Sequence, residues 1–452
     1  MRPRLRRPAV SLAAATTVLT VLLAGCTAAG QSPGRHVTIT VQPQTSLADQ
    51  AVRFRVTGLA PGELATVQTT STDAAGVHWH ASATYRADAA GAVDPSRAPA
   101  RSGSYPGVSG MGLIWSMRPA GPDPAGAYFW HGGVPQEFTV TVSVHGARVA
   151  VTTFQRQLSA MTIQPESLRA DGFVGDFFRP TAAIADRTAV LVLGGSSGGL
   201  PALASGFLAS SGYPSLAVAY FREPGLPKTL SRIPLEYFAR ALRWLRRQPG
   251  VDPARVAVLG VSRGSEAAQL LGVHYPRLVH AVIASVPSNV AICSYPGCTG
   301  PAWTLHGRAL PYTREFDNPA PTDNPAAVIP DQRIRGPVFL DCGTADQTWT
   351  SCRYARAILS LLTAHHDRWA HVLYIYPGAG HWVGSLVPYE PYSPAATATD
   401  PSYPADQRAL PLLWQHVLRF LAGLTSYPEG CARLRAVRHA LLRPAGPARM
   451  AS

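Results

Sequence analysis

"VLGVSRGSEAAQLLG", residues 258–272, sets one serine between two glycines, with an apolar run before it and a helix-like run after it. The five residues Gly260-Val261-Ser262-Arg263-Gly264 are a weak motif by themselves. Their setting strengthens them. A strand over 256–259 that turns sharply into a helix has the form of a nucleophile elbow, whose strained turn lifts a serine hydroxyl above the sheet edge. Side chains at positions 260 and 264 would collide in such a turn, which accounts for the two glycines. The positive end of the following helix favours charge developing at Ser262. A serine hydroxyl is a weak nucleophile, so this reading needs a histidine to take its proton and an acid to orient that histidine.

The surrounding sequence supplies a sheet for that elbow. "TAVLVLGG", "SLAVAYF", "RVAVLGVS", "VHAVIAS", "GPVFLDCG" and "HVLYIYPGAG" are short and nearly continuously apolar, as expected of strands buried on both faces. Helix-like stretches lie between several of them. "PLEYFARALRWLRRQPG" puts Leu235, Phe238, Leu242 and Leu245 on one side, and "SEAAQLLGVHY", "SCRYARAILSLLTAHH" and a last helix, "LPLLWQHVLRFLAGL", complete the set. Strands alternating with helices predict an open α/β sheet over residues 161–430. Residues 287–336, rich in Pro, Gly and Asn, are an expected excursion across the top of the sheet and a candidate cap over the substrate.

In α/β sheets with a serine elbow, the order along the chain is Ser, then Asp or Glu, then His. Asp346 follows "GPVFLDCG", and His381 follows "HVLYIYPGAG" directly. Asp341 is a rival acid, but it falls inside its strand and reads as a structural carboxylate. His274, His365, His366 and His416 fall on helices and read as surface or core residues. Two donors are needed for the oxyanion. The elbow offers the backbone N–H of Arg263, and "GGSSGGL" (194–200) offers Gly195, Ser196 or Ser197 from the end of another strand. The alternative for that loop, a phosphate cradle, lacks the lysine and the spacing of a P-loop. The Arg263 side chain reads either as a solvated residue at a helix start or as an anion-binding group.

Residues 36–160 have a different grain. "HVTITV" alternates with Val37, Ile39 and Val41 on one face, and "AVRFRVTGL" with Val52, Phe54 and Val56. "FTVTVSVHGARVAVTTF" reads as a hairpin folded at His145-Gly146. Short strands with Gly/Pro turns predict an all-β, immunoglobulin-like sandwich.

The formal charge is +14. Arg2, Arg4, Arg6 and Arg7 supply four of those charges, and five more arginines crowd the tail, residues 431–452. No zinc-finger or RNA-binding motif accompanies them, so nucleic acid is not an expected partner. "MRPRLRR" followed by an apolar run and Leu23-Ala24-Gly25-Cys26 resembles the lipobox of bacterial lipoproteins. The expectation is a signal peptide over 1–25, a lipidated Cys26 with a tether to residue 35, and an extracytoplasmic body anchored to the cell membrane; an uncleaved anchor helix is the alternative. Export permits disulfides, and Cys293 with Cys298 and Cys342 with Cys352 are the favoured local pairs, buried free thiols being the alternative. No Cys/His cluster has zinc spacing, so no metal or other cofactor is expected.

Taken together, these stretches resemble the acyl-CoA thioesterases related to bile acid-CoA:amino acid N-acyltransferase, over about residues 36–425. "VRFRVTGLAPGE", "ATYRADAAGAVD" and "GVSGMGLIWSMRP" are similar to that family's β-domain, and "GVSRGSEAAQLL", "GTADQTW", "YPGAGH" and "PYSP" to its α/β-hydrolase domain. The resemblance implies Ser262 as nucleophile, Asp346 as acid and His381 as base, acting on an acyl thioester or ester. The conjugating members use cysteine where this chain has Ser262, so the resemblance implies hydrolysis more than transfer. An exported carboxylesterase, an acyltransferase with the same triad, and an inactive lipid-anchored acyl-binding protein are the alternatives. Familiar members are intracellular, and coenzyme A is not expected outside the membrane.

Overall fold

Alternate residues of the first strands enter a core. In β1 (Thr38–Gln42) Ile39 and Val41 are buried, and in β3 (Arg53–Thr57) Phe54 and Val56 are, while the residues between face outward. A computed structural model describes residues 36–121, 128, 130, 134–158, 165–169, 171–180, 188–365, 368–391 and 401–424. Cys26, the segments before and after it, Cys431 and most of "PYSP" lie outside the described residues. β1 and β3 pair antiparallel as a two-stranded layer. The other layer is larger. It runs β2 (Thr45–Leu47), β9 (Ala147–Gln157), β8 (Gln136–Val144), β4 (Leu64–Thr72), β5 (His78–Arg86), β6 (Ser102–Gly103), with β7 (Arg118–Pro119) also on β5. β8 and β9 form the expected hairpin. Its two turn residues, His145 and Gly146, have φ of +50° and +81°, the pattern of a two-residue type I′ turn, whose twist matches that of the strands. Phe54, Phe138 and Phe154 stack and cross in the core between the layers.

The second sheet has eight strands: β10 (Pro165–Ser167), β11 (Val174–Phe178), β12 (Ala189–Leu193), β13 (Ser215–Ala219), β15 (Val256–Val261), β16 (Ala281–Ser285), β19 (Val338–Gly343) and β20 (Val372–Tyr376). Their spatial order is β10-β11-β13-β12-β15-β16-β19-β20. β10 and β11 run antiparallel at one edge, and from β13 onward every neighbouring pair is parallel. β12, β13 and β16 are buried at every residue, which is why they read as unbroken apolar runs rather than as alternation.

Helices α2 (Ala202–Ser210), α3 (Leu235–Leu245), α4 (Arg263–His274), α5 (Ser351–Ala364) and α6 (Tyr403–Gly423) accompany this sheet. The predicted stripe of α3 is fully buried: Leu235, Phe238, Leu242 and Leu245 each have no exposed area. Such burial is worth about 1.5–3 kcal/mol per side chain. α6 begins seven residues before the stretch that the sequence marked as helix, because Pro404 sits in its first turn, where a missing N–H costs nothing. No described helix is long and apolar enough to cross a membrane.

Both sheets belong to one compact unit that begins at Val37. The indole of Trp414 on α6 donates to Asp49 at 3.0 Å, and the buried Arg156 of β9 lies over the rings of Trp130 and Tyr389. The excursion at 287–336 is not a loose loop. Its own β17 (Trp303–Leu305) and β18 (Arg308–Ala309) form a small sheet with β14 (Ile233–Pro234), and isolated bridges join Val290 to Val328 and Ile292 to Thr313. Cys293 and Cys298 are disulfide-bonded within it, with Cα atoms 5.0 Å apart.

Candidate active site

β15 ends at Val261, and α4 begins at Arg263, so Ser262 alone makes the turn. Its φ of +53° with ψ of −121° is a conformation that costs a non-glycine residue about 1–3 kcal/mol. The surrounding packing enforces it. A Cβ on residue 260 would lie 2.1 Å from the carbonyl oxygen of Gly264, and one on residue 264 would lie 2.4 Å from that of Gly194. The two glycines are therefore what allow the elbow to close against β12.

The histidine and the acid come from the next strand ends. His381 follows β20 and opens a short 3-10 turn, His381–Ser385. Its Nε2 lies 3.0 Å from Ser262 Oγ, and its Nδ1 lies 2.9 Å from Asp346 Oδ2. A neutral imidazole with its proton on Nδ1 satisfies both contacts, donating to the carboxylate and accepting from the hydroxyl. Asp346, whose side chain is 2% exposed, follows β19. Its carboxylate accepts from Ser351 Oγ at 2.6 Å and from the amides of Thr348 at 2.9 Å and Trp349 at 3.3 Å. These donors fix its orientation toward the imidazole. Trp349 packs edge-on to His381, and its indole donates to the Val286 carbonyl at 3.1 Å. Cys342 and Cys352 are disulfide-bonded, Cα to Cα 5.1 Å, and close the loop that carries Asp346.

The three oxyanion-loop residues are not equivalent. Gly198 N donates to Gly195 O at 3.2 Å, so Ser196 and Ser197 occupy the tip of a tight turn. Gly195 lies against Ser262: a Cβ there would be 3.0 Å from Ser262 Cβ and 3.5 Å from Oγ. Arg222 donates from Nη1 to the Ser197 carbonyl at 3.2 Å and steadies the turn. The N–H of Arg263 stands in the first turn of α4, where no helical acceptor exists for it.

The side chain of Arg263 corrects both readings of it. It neither faces solvent nor offers itself to an anion. It is 4% exposed, and its Nε lies 2.7 Å from Oε1 of Glu266, which has no exposure at all. Its Nη2 also donates to the carbonyls of Ile292 and Cys293 at 2.8 and 2.9 Å. Glu266 in turn accepts from Trp303 Nε1 at 2.8 Å and Ile292 N at 3.2 Å. Burial raises the Glu266 pKa, and Arg263 offsets part of that rise. The pair thus ties the first turn of α4 to the excursion. Its partners lie about 30 and 40 residues away in sequence, so nothing local announces them.

The imidazole bonds to Asp346, and Asp341 bonds elsewhere. It is fully buried, accepts from Ser285 Oγ at 2.8 Å, and burial pushes its carboxyl up to about 7. His416 stacks on Tyr374 with ring centroids 3.8 Å apart, and its Nδ1 lies 2.7 Å from the Tyr376 hydroxyl.

A serine elbow, an acid and a histidine on the ends of β15, β19 and β20 give this sheet the arrangement of an α/β-hydrolase. Comparison with known proteins narrows the class. The model of the acyl-CoA thioester hydrolase/BAAT N-terminal region matches residues 49–170, and that of the BAAT/acyl-CoA thioester hydrolase C terminal matches residues 233–404. Mouse acyl-coenzyme A thioesterase 6 is 30% identical over 381 residues, covering 80% of this chain and 88% of its own. Mouse mitochondrial acyl-coenzyme A thioesterase 2 is 29% identical, over 80% of this chain and 82% of its own. Mouse peroxisomal succinyl-coenzyme A thioesterase is also 29% identical, over 79% and 88%. The chain belongs to the acyl-CoA thioester hydrolase/bile acid-CoA:amino acid N-acyltransferase family, and these relatives are hydrolases.

Proposed function

We propose that this protein hydrolyses acyl thioesters of the acyl-CoA type through an acyl-enzyme on Ser262. The observation that carries this reading is the unbroken hydrogen-bonded line from Ser262 Oγ through His381 to Asp346. Nε2 of His381 takes the hydroxyl proton as Oγ attacks the acyl carbonyl, and Asp346 stabilises the imidazolium that forms. The amides of Arg263 and of the Gly195 loop receive the oxyanion. The imidazolium returns its proton to the departing thiolate. His381 then deprotonates a water that attacks the acyl-enzyme, and the carboxylic acid leaves with Ser262 restored.

The same reading places the body outside the cytoplasm, anchored through Cys26. Leu23-Ala24-Gly25-Cys26 supports that placement, and so do two disulfides, which persist in oxidising compartments. Export favours one second reading: a carboxylesterase, because activated thioesters are scarce where disulfides are stable. Hydrolysis of palmitoyl-CoA and of a nitrophenyl ester with the same acyl chain, by residues 27–452 and by Ser262→Ala, separates them. Thioester preference lost in the Ser262→Ala variant is the expected result. Ester cleavage alone supports the second reading, and equal rates for both proteins would remove Ser262 from the chemistry.

A further inference from the structure

We infer that Asp406 is a positioning residue for the general base, a role that rests on the reading of His381 given above. Asp406 lies on α6, 25 residues beyond His381, and is fully buried. One of its oxygens, Oδ1, accepts from the amide of Gly380 at 2.7 Å and from the amide of Val383 at 3.1 Å. These two amides flank His381 on either side along the chain. The other oxygen, Oδ2, accepts from Ser402 Oγ at 3.3 Å, and the Asp406 amide is itself held by the Ser402 carbonyl at 3.0 Å. A single carboxylate thus clamps the backbone that carries the base.

The clamp acts on a turn that lies beyond the sheet. His381 follows β20 by five residues, on a segment that leaves the sheet, and the turn after it ends in a left-handed residue, Leu386, with φ of +61°. The first-turn amides of His381–Ser385 have no partner within the turn and need an outside acceptor. On the acid's side, Ala345 N donates to the Ala379 carbonyl at 2.8 Å, which locks the Asp346 loop to the residue before Gly380. Asp406 supplies the matching restraint beyond the imidazole. Without it, Nε2 can drift from the 3.0 Å contact with Ser262 while the sheet, the elbow and the acid stay in place. The carboxylate sits behind the backbone, so it contributes through His381 rather than by touching substrate.

The test uses the full chain, with each variant's folded fraction measured by circular dichroism so that rates refer to folded protein only. Asp406→Ala is expected to lower kcat on palmitoyl-CoA about 10²-fold, the scale of a displacement near 1 Å, with KM within about twofold. Asp406→Asn keeps Oδ1 as acceptor for both amides and is expected to stay within about threefold of the wild-type kcat. A role confined to stability would lower the folded fraction and leave kcat per folded molecule unchanged, and that result overturns the inference. If Asp406→Ala does not fold, Asp406→Glu takes its place: it keeps the charge but displaces the acceptor by one methylene, and wild-type kcat there overturns the inference equally. Wild-type activity in His381→Ala would instead overturn the underlying reading of the base.

Discussion

Replacing Arg263 by Met tests whether the buried pair beneath the elbow holds the site together. The guanidinium is 4% exposed, bonded to Glu266 and to two carbonyls of the excursion. Hydrogen bonds to a charged group are worth about 1.5–3 kcal/mol each, so losing the two carbonyl bonds alone costs about 3–6 kcal/mol. Removing one partner of a buried ion pair costs about 3–5 kcal/mol by a separate route. The two figures describe overlapping events and are not added; about 4 kcal/mol is expected for Arg263→Met. Arg263→Met with Glu266→Gln removes the stranded charge while Gln keeps an acceptor for Trp303 or the Ile292 amide, so about 2 kcal/mol should return. The sign with pH follows from burial. Without Arg263 the folded-state pKa of Glu266 rises further above its unfolded value, so the stability present at low pH is lost as pH rises, and the single variant should be penalised most above neutrality. Urea midpoints at matched slopes, at pH 5 and pH 8, give these differences. A cost below about 1 kcal/mol for Arg263→Met, or a double variant no more stable than the single, would refute the reasoning.

Three further outcomes follow from the same geometry. Asp341 holds its proton up to about 7 in the fold against an ordinary value of 3.8, so its stabilising contribution is complete below that ordinary value and disappears as pH rises to about 7. At about 1.4 kcal/mol per pKa unit, Asp341→Asn should flatten the stability–pH curve between pH 4 and 7 by up to about 4 kcal/mol, measured by urea unfolding; an unchanged slope would discount this carboxyl. Gly195→Ala puts a methyl 3.0 Å from Ser262 Cβ, and steady-state kinetics should show kcat falling about 10–100-fold with unfolding temperature nearly unchanged. Replacing Cys342 and Cys352 by Ser opens the loop around Asp346, and chemical denaturation should show a loss of about 2–3 kcal/mol.

The three residues of the proposed triad stand where local pattern is strongest, and that is why they could be read in advance. Ser262, Asp346 and His381 each follow an apolar run at a strand end, and the structure brings them within 3.0 Å of their neighbours in the line. Fully buried strands such as β12 and β16 were equally plain, since burial on both faces erases alternation. The edge strands β10 and β11 were not: three and five residues long, they carry no periodic signal against the surrounding turns. α2 escaped for a related reason, being apolar nearly all round. The supports of the site were illegible on principle. Arg263 looked like a solvated arginine because its partners, Glu266 aside, come from Ile292 and Cys293 on the excursion. Asp406 drew no reading at all, because it precedes the stretch that was legible as the last helix and the amides it holds belong to a turn more than twenty residues earlier. Sequence periodicity reports which face of an element is apolar; it does not report which backbone groups a polar side chain will satisfy.

Trapping of the acyl-enzyme tests hydrolysis through Ser262. Palmitoyl-CoA mixed with excess enzyme and quenched in acid within milliseconds should leave palmitate esterified to one peptide, the one containing Ser262, with free coenzyme A released in equal amount before the fatty acid appears. Mass spectrometry of the digest locates the adduct, and Ser262→Ala should show none. Fatty acid and coenzyme A released together with no acylated peptide, or an adduct on another residue, would contradict hydrolysis through Ser262.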